Sequence, residues 1–287
     1  MAAHLPLPGD VPRLLTFLGL HAVPGVESWD GETYARTLRL PHGPGRVELR
    51  AAPGGVAVAL RLTDPADEAA AQTAVRHLLG ADGPDPRDAD THLGADPVLG
   101  PLVAARPGLR VPGSADHAET LLRTVVGQQV SLAGARTVTG RLVAEHGDPS
   151  GGDDLPWVFP RCEVLAAVDP ATLPMPRARG RAVVAVAAAL AGDPSLVDDD
   201  VALLALPGIG PWTVAYTRLR ARRDPDVFLP TDLAVRRQLE ALGRPADARA
   251  AGEHARAWAP HRSAALMHLW TELLERRAAP AATEAAS

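Results

Sequence analysis

The sequence contains no lysine, and all 29 of its basic residues are arginines. Without lysine the chain cannot form a lysine Schiff base, which excludes reactions that require this intermediate. The single cysteine, Cys162, excludes an intramolecular disulfide and metal sites built from several cysteines. The sequence has no apolar run of about eighteen residues and no basic N-terminal segment followed by an apolar run. We therefore expect a cytoplasmic protein without a membrane partner.

Aromatic residues are also few, with five Trp, two Tyr and three Phe. The net charge of −5 argues against a nucleic-acid partner, but the charge is uneven. Residues 201–287 carry 12 arginines against 9 acidic residues, whereas 1–106 carry 9 against 13 and 107–200 carry 8 against 12. The last third alone is positive, although an ordinary solvated helical surface would give the same pattern.

The first 80 residues have the patterns of a small sheet with helices. Alternation at period two predicts three strands, separated by Gly/Pro turns, at residues 34–40, 45–51 and 55–63. Helical spacing of apolar residues predicts helices at 10–20 and 65–80. This combination indicates an antiparallel sheet with two helices on one face.

Beyond residue 80 the patterns change. Residues 81–113 are rich in Gly, Pro and Asp, and they predict a linker with a short helix near 97–105. All later patterns are helical. We therefore predict an α+β protein with an N-terminal α+β domain at 1–107, an all-α domain at 108–277 and a disordered low-complexity tail at 278–287.

The stretch from 203 to 242 carries the strongest motif. Pro207, Gly208 and Gly210 end one helix in a tight turn, and Pro211 suits the first position of the next helix. Such a hairpin presents backbone N–H groups at a helix start, where an anion such as a nucleic-acid phosphate can bind. Asp232 then opens another helix, and by spacing alone an N-cap is its more frequent role.

Two further groups have alternative interpretations. Trp212 and Tyr216 are four residues apart and share one helix face, but core packing is the commoner role of such a pair. Gln128 and Gln129 follow Gly127 inside a helical pattern, where glycine costs about 1 kcal/mol. From the residues alone, Gly127 is best explained by close helix packing, and the glutamines as ordinary surface.

LPGIGPW followed by PTD resembles the helix-hairpin-helix DNA glycosylases, and the rest of the chain resembles the bacterial DNA-3-methyladenine glycosylase II family. The resemblance covers about residues 10–277 and is strongest at 107–147 and 203–270. It implies a TATA-binding-protein-like N-terminal sheet and an all-α glycosylase domain. It also implies an enzyme that flips cationic purines such as 3-methyladenine out of double-stranded DNA and hydrolyses the N-glycosidic bond.

The resemblance also assigns roles to residues. It implies that Asp232 is catalytic, and that the base pocket is formed by Trp212, Tyr216, Trp270 and Phe17. It implies DNA contacts by Gly208, Ile209, Gly210, Gln128 and Gln129, with Gln129 as a wedge that fills the gap left by the flipped base. Arg262 is a further candidate, either for a DNA phosphate contact or for a scaffold role. Carbonyl groups of Leu204, Leu206 and Ile209 match positions that can hold a cation. We expect no cofactor, no side-chain metal site and a monomer.

Two departures from the family limit the reaction and the substrate. The lysine of lyase-competent relatives is replaced by Trp212, so the resemblance implies a monofunctional enzyme that leaves an abasic site. Thr271 stands where some relatives have an aromatic residue, which leaves open a glycosylase for deaminated or bulkier lesions. A non-catalytic DNA-binding or damage-recognition protein is the other alternative, but such a protein would need neither Asp232 nor the aromatic residues.

Overall fold

The structure is a computed structural model that describes the backbone of residues 2–284 and the side chains of residues 2–276. The strands are β1 (Ala2–Pro6), β2 (Glu27–Trp29), β3 (Thr33–Leu40), β4 (Gly43–Ala52), β5 (Gly55–Leu62), β6 (Asp148–Pro149) and β7 (Trp157–Val158). The first helices are α1 (Val11–Leu20), α2 (Glu68–Leu78), α3 (Pro86–Gly94), α4 (Gly100–Ala105), α5 (His117–Val126), α6 (Leu132–His146) and α7 (Cys162–Ala166). The later helices are α8 (Arg177–Gly192), α9 (Asp200–Ala205), α10 (Pro211–Arg220), α11 (Leu233–Ala241), α12 (Ala248–His254) and α13 (Arg262–Glu284). Within the described ranges, no helix is long and apolar enough to cross a membrane.

The N-terminal sheet has five antiparallel strands in the order β1-β5-β4-β3-β2. The three predicted strands correspond to β3, β4 and β5. The sequence patterns did not indicate β1 and β2, which lie at the two edges of the sheet. Helices α1 and α2 contribute buried residues to one core with the three central strands. The predicted α+β fold class is confirmed.

The described chain forms two compact units. The first unit consists of Met1–Leu7, Val11–Asp82 and Pro112–Arg223, and it holds the sheet with α1, α2 and α5–α10. The second consists of Pro8–Asp10, Gly83–Val111 and Asp224–Ser287, and it holds α3, α4 and α11–α13. A domain boundary near residue 107 stays a prediction, because the units do not follow one cut in the chain.

The predicted linker at 81–113 contains two helices rather than one. Helix α4 corresponds to the expected short helix, but α3 was missed. The start signals of α3 are present in the sequence, because the Asp85 side chain accepts a hydrogen bond from the Arg87 N–H at 3.0 Å and Pro86 follows as the first helical residue. Both helices pack against α13 within the second unit.

The C-terminal tail follows the last helix. Helix α13 continues to Glu284, and the disorder expected for 278–287 stays a prediction. Alanine has the highest helix propensity and is frequent here, which favours continuation of the helix. Residues 285–287 lie outside the described residues.

Candidate functional site

The predicted hairpin joins α9 to α10 in the first unit. Gly208 has φ +77°, and a Cβ there would lie 2.8 Å from Cβ of Ala182, so glycine is required for both conformation and space. Gly210 is the N-cap of α10 with φ −115°, and a Cβ there would meet open space. Ile209 is buried in the helical core and anchors the turn between the two glycines.

The start of α10 has no side-chain cap. Neighbouring helices differ, since α5, α6 and α9 are capped by Asp116, Ser131 and Asp199. An uncapped helix start with its aligned amides favours an anion. Of the carbonyl groups predicted to hold a cation, that of Leu206 accepts the Ile209 N–H at 3.2 Å. The cation site stays a prediction.

The two glutamines after α5 have different surroundings. Nε2 of Gln128 donates to the Gly208 carbonyl at 3.0 Å and to Oγ1 of Thr213 at 2.9 Å, so this side chain braces the hairpin. Gln129 is exposed and has φ +56°. A non-glycine residue in this region costs about 1–3 kcal/mol. The strain is consistent with a functional turn, while the predicted DNA contacts of both residues stay predictions.

Five residues of the first unit form an aromatic cluster: Phe17, His21, Trp212, Tyr216 and Arg220. The rings of Trp212 and Tyr216 stack with centroids 5.2 Å apart, and those of Phe17 and His21 stack at 4.2 Å. The Arg220 guanidinium lies 5.4 Å from the Phe17 centroid and 6.0 Å from that of Tyr216. The cluster thus brings together three of the four predicted base-pocket residues.

Arg220 fixes this cluster to the backbone. Its Nε donates to the Pro112 carbonyl and its Nη2 to the Gly113 carbonyl, both at 2.9 Å, while Nη1 donates to the Tyr216 hydroxyl at 3.2 Å. Sequence reasoning missed this buried arginine. Its position four residues after Tyr216, on the same helix face, was the available signal.

His21 is held in an equally defined position. Its Nδ1 lies 2.7 Å from the Phe17 carbonyl, and its own carbonyl accepts from Nη2 of Arg123 at 2.9 Å. Burial and the nearby charge of Arg220 lower the pKa of His21 to about 4. The ring is therefore neutral at pH 7.

An ion-pair network lies beside this position and comprises Glu27, Arg36, Glu119 and Arg123. Arg36 contacts Glu119 at 2.7 Å and Glu27 at 3.4 Å, and Arg123 contacts Glu119 at 2.8 Å and Glu27 at 3.0 Å. The side chains of Glu27, Arg36 and Glu119 are at most 5% exposed. Burial alone would raise the pKa of Glu27, but Arg123 and Arg36 outweigh it and lower that pKa to about 2.

Asp232 and Trp270 lie together in the second unit. Asp232 is the N-cap of α11, and its Oδ1 accepts the Val235 N–H at 3.0 Å. Nε1 of Trp270, a residue that is 9% exposed, donates a long hydrogen bond of 3.4 Å to the same oxygen. The cap therefore exists, as the spacing favoured. It also fixes the carboxylate at a partly exposed helix start, where the next residue, Leu233, is 58% exposed.

Arg262 is engaged within the second unit. Its Nε and Nη2 donate to the two carboxylate oxygens of Asp226, each at 2.7 Å. Hydrogen bonding from Arg262 lowers the pKa of Asp226. A phosphate would have to compete with this bidentate pair, so the geometry favours a scaffold role, and the predicted DNA contact stays a prediction.

Sequence comparisons identify relatives of the chain. Residues 5–116 match the family model of the AlkA N-terminal domain. A probable bifunctional transcriptional activator/DNA repair enzyme AlkA from Mycobacterium tuberculosis is 44% identical over 266 residues, which is 89% of this chain and 53% of the relative. DNA-3-methyladenine glycosylase 2 of Escherichia coli is 40% identical over 185 residues, covering 60% of this chain and 64% of the relative. The chain thus spans about half the length of the mycobacterial relative.

A structural comparison agrees on the fold. The 3-methyladenine DNA-glycosylase from Archaeoglobus fulgidus superposes with a TM-score of 0.81, covering 94% of this chain and 98% of that protein at 20% identity. The predicted resemblance to DNA-3-methyladenine glycosylase II is confirmed.

Proposed function

Because the chain is a homologue of the AlkA-type DNA glycosylases, we propose that it removes alkylated purines from double-stranded DNA by hydrolysing the N-glycosidic bond. The observation that carries this proposal is the fixed carboxylate of Asp232. The amide of Val235 and the indole of Trp270 both hold its Oδ1. The two groups restrict the carboxylate orientation at a partly exposed helix start. Such preorganisation is what electrostatic catalysis requires.

In the proposed reaction, Asp232 stabilises positive charge on the sugar. Cleavage of a glycosidic bond passes through an oxocarbenium-like transition state. The carboxylate lowers the energy of this cation and orients the attacking water, whose proton it can accept. The C1′–N bond breaks with its electron pair going to the base. A purine alkylated at N3 or N7 is already cationic and departs as a neutral base, so the enzyme needs no general acid.

The aromatic cluster supplies the surface for the extruded base. Trp212 and Tyr216 present stacked rings, and Phe17 adds a third. A cation in contact with such rings is stabilised by about 0.5–2 kcal/mol per contact. We also assign Trp270 to base binding. Flipping costs a few kcal/mol and costs less for a damaged base, which contributes to selectivity.

The hairpin is assigned to the DNA backbone. The uncapped start of α10 and the amides around Gly208 and Gly210 bind a phosphate in this proposal. Gln129, exposed in its strained turn, is the proposed wedge. We propose further that the enzyme acts as a monomer.

The sequence defines the product of the proposed reaction. Without any lysine, the chain cannot cleave the strand through a lysine Schiff base. The enzyme is therefore monofunctional in this proposal and leaves an abasic site.

The test is release of bases from DNA treated with a methylating agent. We expect free 3-methyladenine, detected by chromatography, together with abasic sites and no strand cleavage until alkali is added. Asp232→Asn should bind the same DNA and release far less base. If neither protein releases any base while both bind DNA, the chain is a damage-binding module and the proposal is wrong.

A further inference from the structure

The ring of His21 is fixed from two sides. It stacks on Phe17, and its backbone carbonyl is held by Arg123, which belongs to the buried ion-pair network. A side chain held by packing and by neighbouring hydrogen bonds keeps one orientation, which a recognition group needs. None of these contacts uses Nε2 of the ring.

The protonation of His21 follows from its hydrogen bond. The Phe17 carbonyl can only accept, so Nδ1 of His21 donates to it across 2.7 Å. In the neutral ring the one N–H is therefore at Nδ1, and Nε2 carries a lone pair. Nε2 has no hydrogen-bond partner among the described residues, and the residue is only half-buried. His21 thus offers an accessible hydrogen-bond acceptor.

The cluster has three other polar groups, and one of them, the Tyr216 hydroxyl, already accepts a hydrogen bond from Nη1 of Arg220. Trp212 and Arg220 carry only donors. The three donor nitrogens of Arg220 already bind two carbonyls and the Tyr216 hydroxyl. If a base lies on this cluster and offers an N–H donor, Nε2 of His21 is in a position to accept that hydrogen bond.

We propose that Nε2 of His21 is a specificity-determining acceptor that selects purines carrying an exocyclic amino group. The inference rests on the proposed glycosylase function and names its substrate class. 3-Methyladenine carries such a group at C6, and the positive charge of the alkylated ring in DNA strengthens it as a donor. A hydrogen bond that involves a charged partner is about twice as strong as a neutral one. 1,N6-Ethenoadenine has no N–H and cannot form this bond.

The test compares three variants on two substrates. His21→Phe retains a ring that can stack on Phe17 but removes the acceptor, and we expect kcat/KM for 3-methyladenine release to fall about tenfold. His21→Gln places a carbonyl oxygen near the position of Nε2 and should stay within about threefold of the intact protein. His117, whose ring packs on His77 at 4.8 Å in the same unit, provides the control variant His117→Phe, which should leave release unchanged.

The second substrate separates recognition from packing. The affinity for a duplex containing 1,N6-ethenoadenine, measured by fluorescence anisotropy, should be the same for the intact protein and His21→Phe. If His21→Phe lowers kcat/KM for 3-methyladenine release and the affinity for the 1,N6-ethenoadenine duplex by the same factor, His21 is a packing residue. If kcat/KM for 3-methyladenine release does not change, His21 has no role in base recognition. Either result overturns the inference while the glycosylase function stands. If the intact chain releases no methylated base, the proposed function fails, and the inference fails with it.

Discussion

Replacing Glu119 with glutamine should destabilise the first unit strongly. Glu119 binds Arg36 at 2.7 Å and Arg123 at 2.8 Å, and its side chain is 5% exposed. In Glu119→Gln, Glu27 remains as the single carboxylate opposite two arginines, which leaves a buried positive charge uncompensated. Breaking a buried ion pair by removing one partner costs about 3–5 kcal/mol. We expect a loss of this size in the free energy of unfolding, a large share of the stability of an ordinary domain.

The assay is guanidinium unfolding followed by circular dichroism. The matched control is Glu253→Gln, which breaks the exposed helical pair of Glu253 with Arg249 and should cost less than about 0.5 kcal/mol. Adding Arg36→Met to Glu119→Gln restores neutrality and should recover part of the loss. A loss below about 1 kcal/mol in Glu119→Gln would refute the argument, because it would show that the remaining charges are effectively solvated.

Three further stability predictions follow from the geometry. Gly208→Ala should cost at least about 1–2 kcal/mol, because φ is +77° and Cβ would meet Ala182, whereas Gly210→Ala, at φ −115° in open space, should be nearly neutral in the same denaturation assay. Acidification from pH 6.5 to 4 should destabilise the protein, because unfolded His21 binds a proton that the folded ring, with its pKa lowered to about 4 mainly by burial, does not. His21→Phe should remove up to about 2.5 kcal/mol of that loss, and an unchanged pH profile would refute the assignment. Asp232→Ala should cost about 1 kcal/mol through loss of the N-cap, and Asp232→Asn close to nothing, as thermal unfolding would show.

Local patterns in the sequence predicted much of the fold. The alternating residues of β3–β5 and the Gly/Pro hairpin follow from neighbours in the chain, and both are confirmed. The i, i+4 spacing correctly predicted that Trp212 and Tyr216 share a helix face. The N-cap role of Asp232 also follows from short-range chemistry and is confirmed.

Long-range pairings could not be predicted in this way. Arg36 and Glu119 are 83 residues apart in the sequence, and Glu27 and Arg123 are 96 apart. No periodicity indicates that these four residues form one network. Arg36 does lie in an alternating strand pattern, where a charged residue on the buried face is a sign of a hidden partner. The partner itself depends on tertiary structure.

Local patterns also failed to predict which segments of the chain form the second unit. Residues 83–111 pack with helices that begin more than a hundred residues later, and a linker-like composition concealed this. Similarly, the sequence left Arg262 as a phosphate or scaffold residue, and its bidentate pair with Asp226 is visible only in the tertiary structure.

The single-turnover rate of 3-methyladenine release by Asp232→Asn tests the central claim most directly. Asparagine can retain the N-cap of α11 and the contact with Trp270 while removing the negative charge. Thermal unfolding and DNA affinity should therefore match the intact chain, while the rate should fall by at least about a hundredfold, as expected for loss of a preorganised electrostatic group. A rate within about threefold of the intact protein would correspond to a change of less than about 0.7 kcal/mol in the activation free energy. That result would contradict the account and make Asp232 a helix cap without a catalytic role.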